Sequence, residues 1–115
     1  MTNLNQWIGE GNIGSDPELR YTHGTNKPVT NFFLYVDDLH KKVNSSGSFT
    51  YKKTTNKVPV VAWDGKATYI TNNHSRGDKV RIVGKLKTRL VEKQDGTYIS
   101  SFEIIVENIS MIKPA

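Results

Sequence analysis

The fold this sequence predicts is an all-β domain: a small closed barrel of five strands, with one short helix between the third and fourth. Three observations carry that expectation. Hydrophobicity alternates with a period of two along almost the whole chain. Glycines fall within the first strand, where a tightly curved sheet needs bends or bulges. One short stretch, and only one, switches to helical spacing. The 115 residues suit a single domain, placed at 1–112, with 113–115 as a C-terminal end.

Residues 4–13 read as the first strand, its regularity broken by Gly9, Gly11 and Gly14. Ser15-Asp16-Pro17 is a turn signal, Leu19-Arg20-Tyr21 resumes extended structure, and His23 to Pro28 is a second turn. Val29 to Val36 is a dense β-run, apolar on both faces apart from Thr30 and Asn31, which predicts a central strand buried on more than one side. Residues 37–57 are polar, with Ser-Ser-Gly-Ser in their middle. They read as a long, flexible, basic loop, hairpin-like, with its tip near Ser45 to Ser48. Val58 to Trp63 is the next strand.

Asp64 is placed to cap a helix. Ala67 and Ile70, a turn apart, give that helix one apolar face, and it ends near Asn73 with Gly77 beyond. Lys79 to Val91 is the clearest strand. Val80, Ile82, Gly84, Leu86, Thr88 and Leu90 share one face, and Lys79, Arg81, Val83, Lys85, Lys87 and Arg89 the other. Glu92 to Gly96 forms a hairpin loop, and Thr97 to Val106 the last strand, with Tyr98, Phe102, Ile104 and Val106 on one face. The order β-β-β-α-β-β is that of the OB-fold, a Greek-key barrel.

Sixteen Lys and Arg against 11 Asp and Glu give a formal charge of +5 and an acidic partner as the first expectation. Nucleic acid leads and an anionic membrane surface follows, while charge alone is equally compatible with a merely solvated basic surface. The absence of cysteine excludes disulfides and thiolate metal sites. The start lacks a basic and apolar leader pattern and no apolar run approaches spanning length, so a cytoplasmic protein with no membrane partner is expected. His23, His40 and His74 lie far apart without metal-ligand spacing, and no nucleophile motif accompanies them. No enzyme activity, cofactor or metal is therefore expected.

Three patterns point to nucleic acid. Five of the six alternate positions from 79 to 89 are Lys or Arg (Lys79, Arg81, Lys85, Lys87 and Arg89), with no acid within the stripe. Same-face side chains on a strand recur about every 6.6 Å, a spacing suited to tracking an extended phosphate backbone. The 37–57 segment holds Lys41, Lys42, Lys52, Lys53 and Lys57 around Phe49 and Tyr51, and no acid occurs from His40 to Trp63. Cations neutralise phosphates and aromatic faces stack on unpaired bases. Among Trp7, Tyr21, Trp63 and Tyr98, Trp63 is the best base platform, at a strand end with Lys66 close behind. A solvent face, a solubilising loop and core aromatics are the competing structural explanations.

The run Gly11 to Tyr21 (GNIGSDPELRY) resembles the opening signature of bacterial single-stranded DNA-binding proteins. Val29 to Phe32, Val60 to Lys66 (with Asp64 inserted), Arg76 to Val80, Gly84 to Arg89, Phe102 to Ile104 and Glu107 to Ile109 resemble later family segments in order. The resemblance implies an OB-fold that wraps single-stranded DNA, self-associated as a homotetramer or else a dimer, acting in replication, recombination or repair. It carries the stacking role to Trp63 and basic roles near the DNA path to Lys66, Arg76, Lys87 and Arg89.

Two departures qualify it. His40, Lys57 and Val91 stand where the family usually has tryptophans. Binding should then be weaker per nucleotide and more salt-sensitive, with Phe49 and Tyr51 as candidate replacements. The family also carries a disordered tail whose acidic tip recruits replication and repair proteins, whereas this sequence stops at Ile112-Lys113-Pro114-Ala115. The expectation is a domain without that tail, either cut short or naturally tailless. The alternative function is a tailless primosomal-type adaptor that binds single-stranded DNA weakly and contacts replication proteins. A nuclease is a third class, for which the sequence shows no carboxylate cluster.

Overall fold

The computed structural model describes residues 2–113, so the part of the tail expectation that falls on Pro114 and Ala115 lies outside the described residues. The elements are β1 (Trp7–Ile13), β2 (Arg20–Tyr21), β3 (Pro28–Val43), β4 (Phe49–Trp63), α1 (Gly65–Asn73), β5 (Lys79–Glu92) and β6 (Tyr98–Met111). The sheet runs β1-β5-β6-β4-β3-β2, and a β1–β3 pairing of Asn12 with Tyr35 and Ile13 with Leu34 joins its ends. Five strands thus close into an OB-fold barrel, with β2 as a two-residue addition on β3.

Alternation builds the core. Ile13, Phe32, Leu34, Val60, Ala62, Val80, Ile82, Ile104 and Val106 point inward and are almost fully buried. Ala67 and Ile70 of α1 join the same cluster. The helix begins as expected, but Asp64 does not cap it with its side chain. Its φ is 58°, and its backbone N–H donates to the Pro28 carbonyl at 2.9 Å, so strand-end geometry wins over capping.

Closure depends on two close approaches. A methyl group on Gly11 would overlap the Tyr35 carbonyl oxygen, and one on Gly84 would overlap that of Ile105. Only residues without Cβ let the strands cross there. Opposite Gly84, β6 carries a bulge: Val83 faces Asn108 while Gly84 faces Val106, leaving Glu107 unpaired. The extra residue shifts the inward parity, so Ile109 packs at the core's edge after Ile104 and Val106. A strict period of two loses the strand after Val106, whereas β6 in fact continues to Met111.

The larger difference lies at 37–57. There β3 and β4 stay paired without interruption from Val29–Trp63 to Val43–Phe49, and the turn occupies only 44–48. Threonine, tyrosine and valine suit a strand, and alternate residue pairs bond across the ladder while the backbone groups between them face solvent. β5 and β6 form a second ribbon, pairing out to Glu92–Tyr98. Because β4 and β6 are parallel neighbours, both ribbons project from the same end of the barrel. The radius of gyration is accordingly 17.6 Å, against about 13 Å for a compact globule of this length.

The Gly11 crossing generates a stability prediction. Gly11→Ala should destabilise the fold by about 2–3 kcal/mol, since the obstacle is backbone. Thermal unfolding should show a fall in Tm on the order of 10 °C. An unchanged Tm would refute the closure argument.

Candidate nucleic-acid interface

Pairing register decides what each ribbon shows. Along β3 the even positions Phe32 and Leu34 fill the barrel, so the odd positions face outward. Phe33 and Tyr35 are 39% and 38% exposed, which corrects the expectation of a strand buried on both faces. Neither was singled out from the sequence, because a short apolar run does not reveal which face is covered.

Cross-strand neighbours extend this outward face. Tyr35 opposes Lys57, Leu39 opposes Lys53, Lys41 opposes Tyr51 and Val43 opposes Phe49. Lysines and aromatics therefore share one surface that continues to Trp63 at the barrel. The Lys57 ammonium lies 4.1 Å from the centre of the Phe33 ring, and that of Lys41 lies 4.2 Å from the centre of Phe49. Phe49 and Tyr51 meet edge to face at 5.6 Å. Lys53 pairs with Asp37 at 3.4 Å. The Thr55 hydroxyl, first, and Lys53 hold the Asp37 carboxyl below its ordinary value, with Lys79 adding attraction. Asp37 thus keeps a negative charge within an otherwise basic surface at neutral pH.

The β5 stripe points outward as well, and here tertiary structure alters the pattern. Arg81 donates from Nε to the Glu10 carboxylate of β1 at 2.8 Å and forms an ion pair with it. Glu103 of β6 stands opposite Lys87. A stripe with no acid among its own positions from 79 to 89 thus meets acids from both neighbouring strands. Lys85 and Lys87 remain beside Trp63, lining a shallow recess with Asn5, Leu86 and Ile105. Arg89 lines the next groove with Phe33, Asn31, Pro59, Ser101 and Glu103. Each recess is lined by residues of both β4 and β5, so basic groups of β5 meet the aromatic outward face of β3 and β4.

Several expected residues fall elsewhere. Lys42 and Lys52 sit on the opposite, inner face of the β3–β4 ribbon, in the row of His40, whose ring contacts the Thr54 hydroxyl at 3.0 Å. Lys66 lies in the first turn of α1, lining a recess with Tyr69, Glu107 and Asn108. Arg76 lies in the turn after α1, its backbone N–H donating to Asp16 at 2.8 Å. Among the described residues, no three His, Asp or Glu side chains are grouped to hold a metal ion, and no helix is long and apolar enough to cross a membrane.

The sequence matches the profile of the Single-strand binding protein family over residues 4–112. A single-stranded DNA-binding protein of Clostridium tetani is 31% identical over 110 residues, covering 96% of this chain and 71% of that protein. Single-stranded DNA-binding protein 3 of Clostridium acetobutylicum is 29% identical, covering 96% of this chain and 72% of its own length. A solved Plasmodium falciparum SSB complex with ssDNA superposes with a TM-score of 0.81 at 19% identity, covering 98% of each chain, and so shares the fold.

The two-faced ribbon yields a test that net charge cannot mimic. Lys41→Ala with Lys53→Ala and Lys42→Ala with Lys52→Ala each remove two positive charges. Binding of an oligothymidylate across a salt series should lose about 1.4 from its logarithmic slope in the outer pair, roughly 0.7 per phosphate contact. The inner pair should leave the slope nearly unchanged. Equal losses would reject the assignment of the outer face.

Proposed function

Because this chain belongs to the single-strand binding protein family, we propose that it binds single-stranded DNA without regard to sequence, in replication, recombination or repair. The carrying observation is the outward face where Trp63, Phe33, Tyr35, Tyr51 and Phe49 alternate with Lys57, Lys53 and Lys41, flanked by Lys85, Lys87 and Arg89. Aromatic faces accept any base, and lysines accept the phosphates between them. Stacking and phosphate contacts carry no base-edge information, so the reading is of tolerant binding.

The proposed role is binding and protection rather than catalysis. Family membership supports self-association, with a homotetramer as the expected form. Exposed Leu4, Ile8, Leu86, Leu90, Tyr98 and Phe102 are apolar groups that such an assembly would cover.

Trp63 and Trp7 are the chain's two tryptophans. Titration with oligothymidylate should quench tryptophan fluorescence, and Trp63→Leu should remove most of that quench. The substitution should weaken binding by about 1–3 kcal/mol, the range for one stacked base. Sizing of the free protein should give the mass of four chains. Unaltered fluorescence and mobility with every oligonucleotide would defeat the proposal.

A further inference from the structure

All three outward lysines of the β3–β4 ribbon are already engaged in the free protein, two of them on aromatic rings. Lys57 belongs to β4 and covers a ring of β3, whereas Lys41 belongs to β3 and covers a ring of β4. Both are the same diagonal relation across the ladder: Lys57 lies two residues from Pro59, which opposes Phe33, and Phe49 lies two residues from Tyr51, which opposes Lys41. The same arrangement thus occurs twice, with the strands exchanged. The rings under these lysines are otherwise open, Phe33 being 39% and Phe49 50% exposed.

We propose that Lys57 and Lys41 are displaceable covers over two base-stacking rings, Phe33 and Phe49. In the free protein each ammonium occupies the face that a base would take. When a base stacks there, the ammonium moves off the ring and onto a neighbouring phosphate. This rests on the single-strand binding proposed above and assigns the two rings and the exchange within it.

Magnitudes favour the exchange. A cation on an exposed ring is worth a factor of about two to five in equilibrium. A stacked base is worth a factor of roughly five to 150. The released lysine then neutralises a phosphate, adding about 0.7 to the salt slope. Until then the cation shields two phenyl rings that would otherwise stand bare in water. Lys53 is the internal control, because its ammonium is held by Asp37 and not by a ring.

The exchange has a signature that a plain phosphate contact lacks. Lys57→Ala removes a phosphate contact but also uncovers Phe33. Measured by anisotropy with a labelled oligothymidylate from about 0.05 to about 1 M salt, its binding line should be shallower by about 0.7 than that of the unmodified protein. At low salt the variant should bind more weakly. Near 1 M it should bind about two- to fivefold more tightly, so the two lines cross. Lys41→Ala should behave alike, and Lys53→Ala should flatten the line without a crossing. In a Phe33→Leu background, which keeps the apolar bulk but not the π face, Lys57→Ala should lose its high-salt advantage. All the altered side chains are at the surface, and matching thermal melts will establish that the variants fold. A Lys57→Ala line that stays at or below the unmodified protein at every salt would overturn the proposal. So would a high-salt gain that persists with Phe33→Leu. If the unmodified protein binds no oligonucleotide, single-strand binding itself fails and the covers fail with it. If it binds while the lines run parallel, only the covers fail.

Discussion

The unbroken pairing of β3 with β4, fifteen residue pairs from Val29–Trp63 to Val43–Phe49, is the constraint on which the rest depends. At one end it drives Thr30, Phe32, Leu34, Val60 and Ala62 into the barrel. At the other it has no core to fill, yet the same parity persists. Phe33, Tyr35, Lys41, Tyr51 and Phe49 are therefore outward because Phe32 and Leu34 are inward. A slip of one residue would exchange the two sets, emptying the core and burying lysines. Burial of a few aliphatic side chains thus sets the chemistry of a surface that extends well beyond them.

The barrel itself is small, and most of its stability must come from one cluster of inward side chains and the α1 residues Ala67 and Ile70. Beyond that cluster both ribbons are exposed on both faces. They rely on ladder hydrogen bonds and cross-strand contacts such as Asn56 with Asp38 and Thr55 with Asp37. Paired ribbons of this kind open more readily than the core from which they grow. That suits a surface expected to follow a flexible polymer, since contacts at the tips adjust without disturbing the barrel.

Electrostatics on the outward face is more tempered than the net charge of +5 implies. Glu10 holds Arg81, Asp37 holds Lys53, and two lysines lie on rings. Exposed pairs of these kinds contribute little to stability and are readily exchanged for others. What they do is define where each long side chain rests before a ligand arrives. The basic character of Lys85 and Lys87 then combines with Trp63 in one recess, and that of Arg89 with Phe33 in another.

Much of this was legible in the sequence. The period of two, the one helical step at Ala67 and Ile70, and the hairpin turns placed all five barrel strands and the helix. Trp63, the β5 stripe and the lysine–aromatic content of 37–57 were legible as types of residue. What sequence could not supply was partnership across strands. Phe33 and Tyr35 read as core because a local apolar run does not say which face will be covered. Lys41 and Lys42 read as equals, although adjacent residues on a strand face opposite ways. Glu10 lies far along the chain from Arg81, and Glu103 meets Lys87 only through the register of the β5–β6 hairpin, so both approaches appear only once the sheet is paired. Local propensity and alternation are properties of neighbours in sequence, and they determined the elements. Register and barrel closure join residues distant in sequence, and only the tertiary structure decided which lysines and rings share a surface.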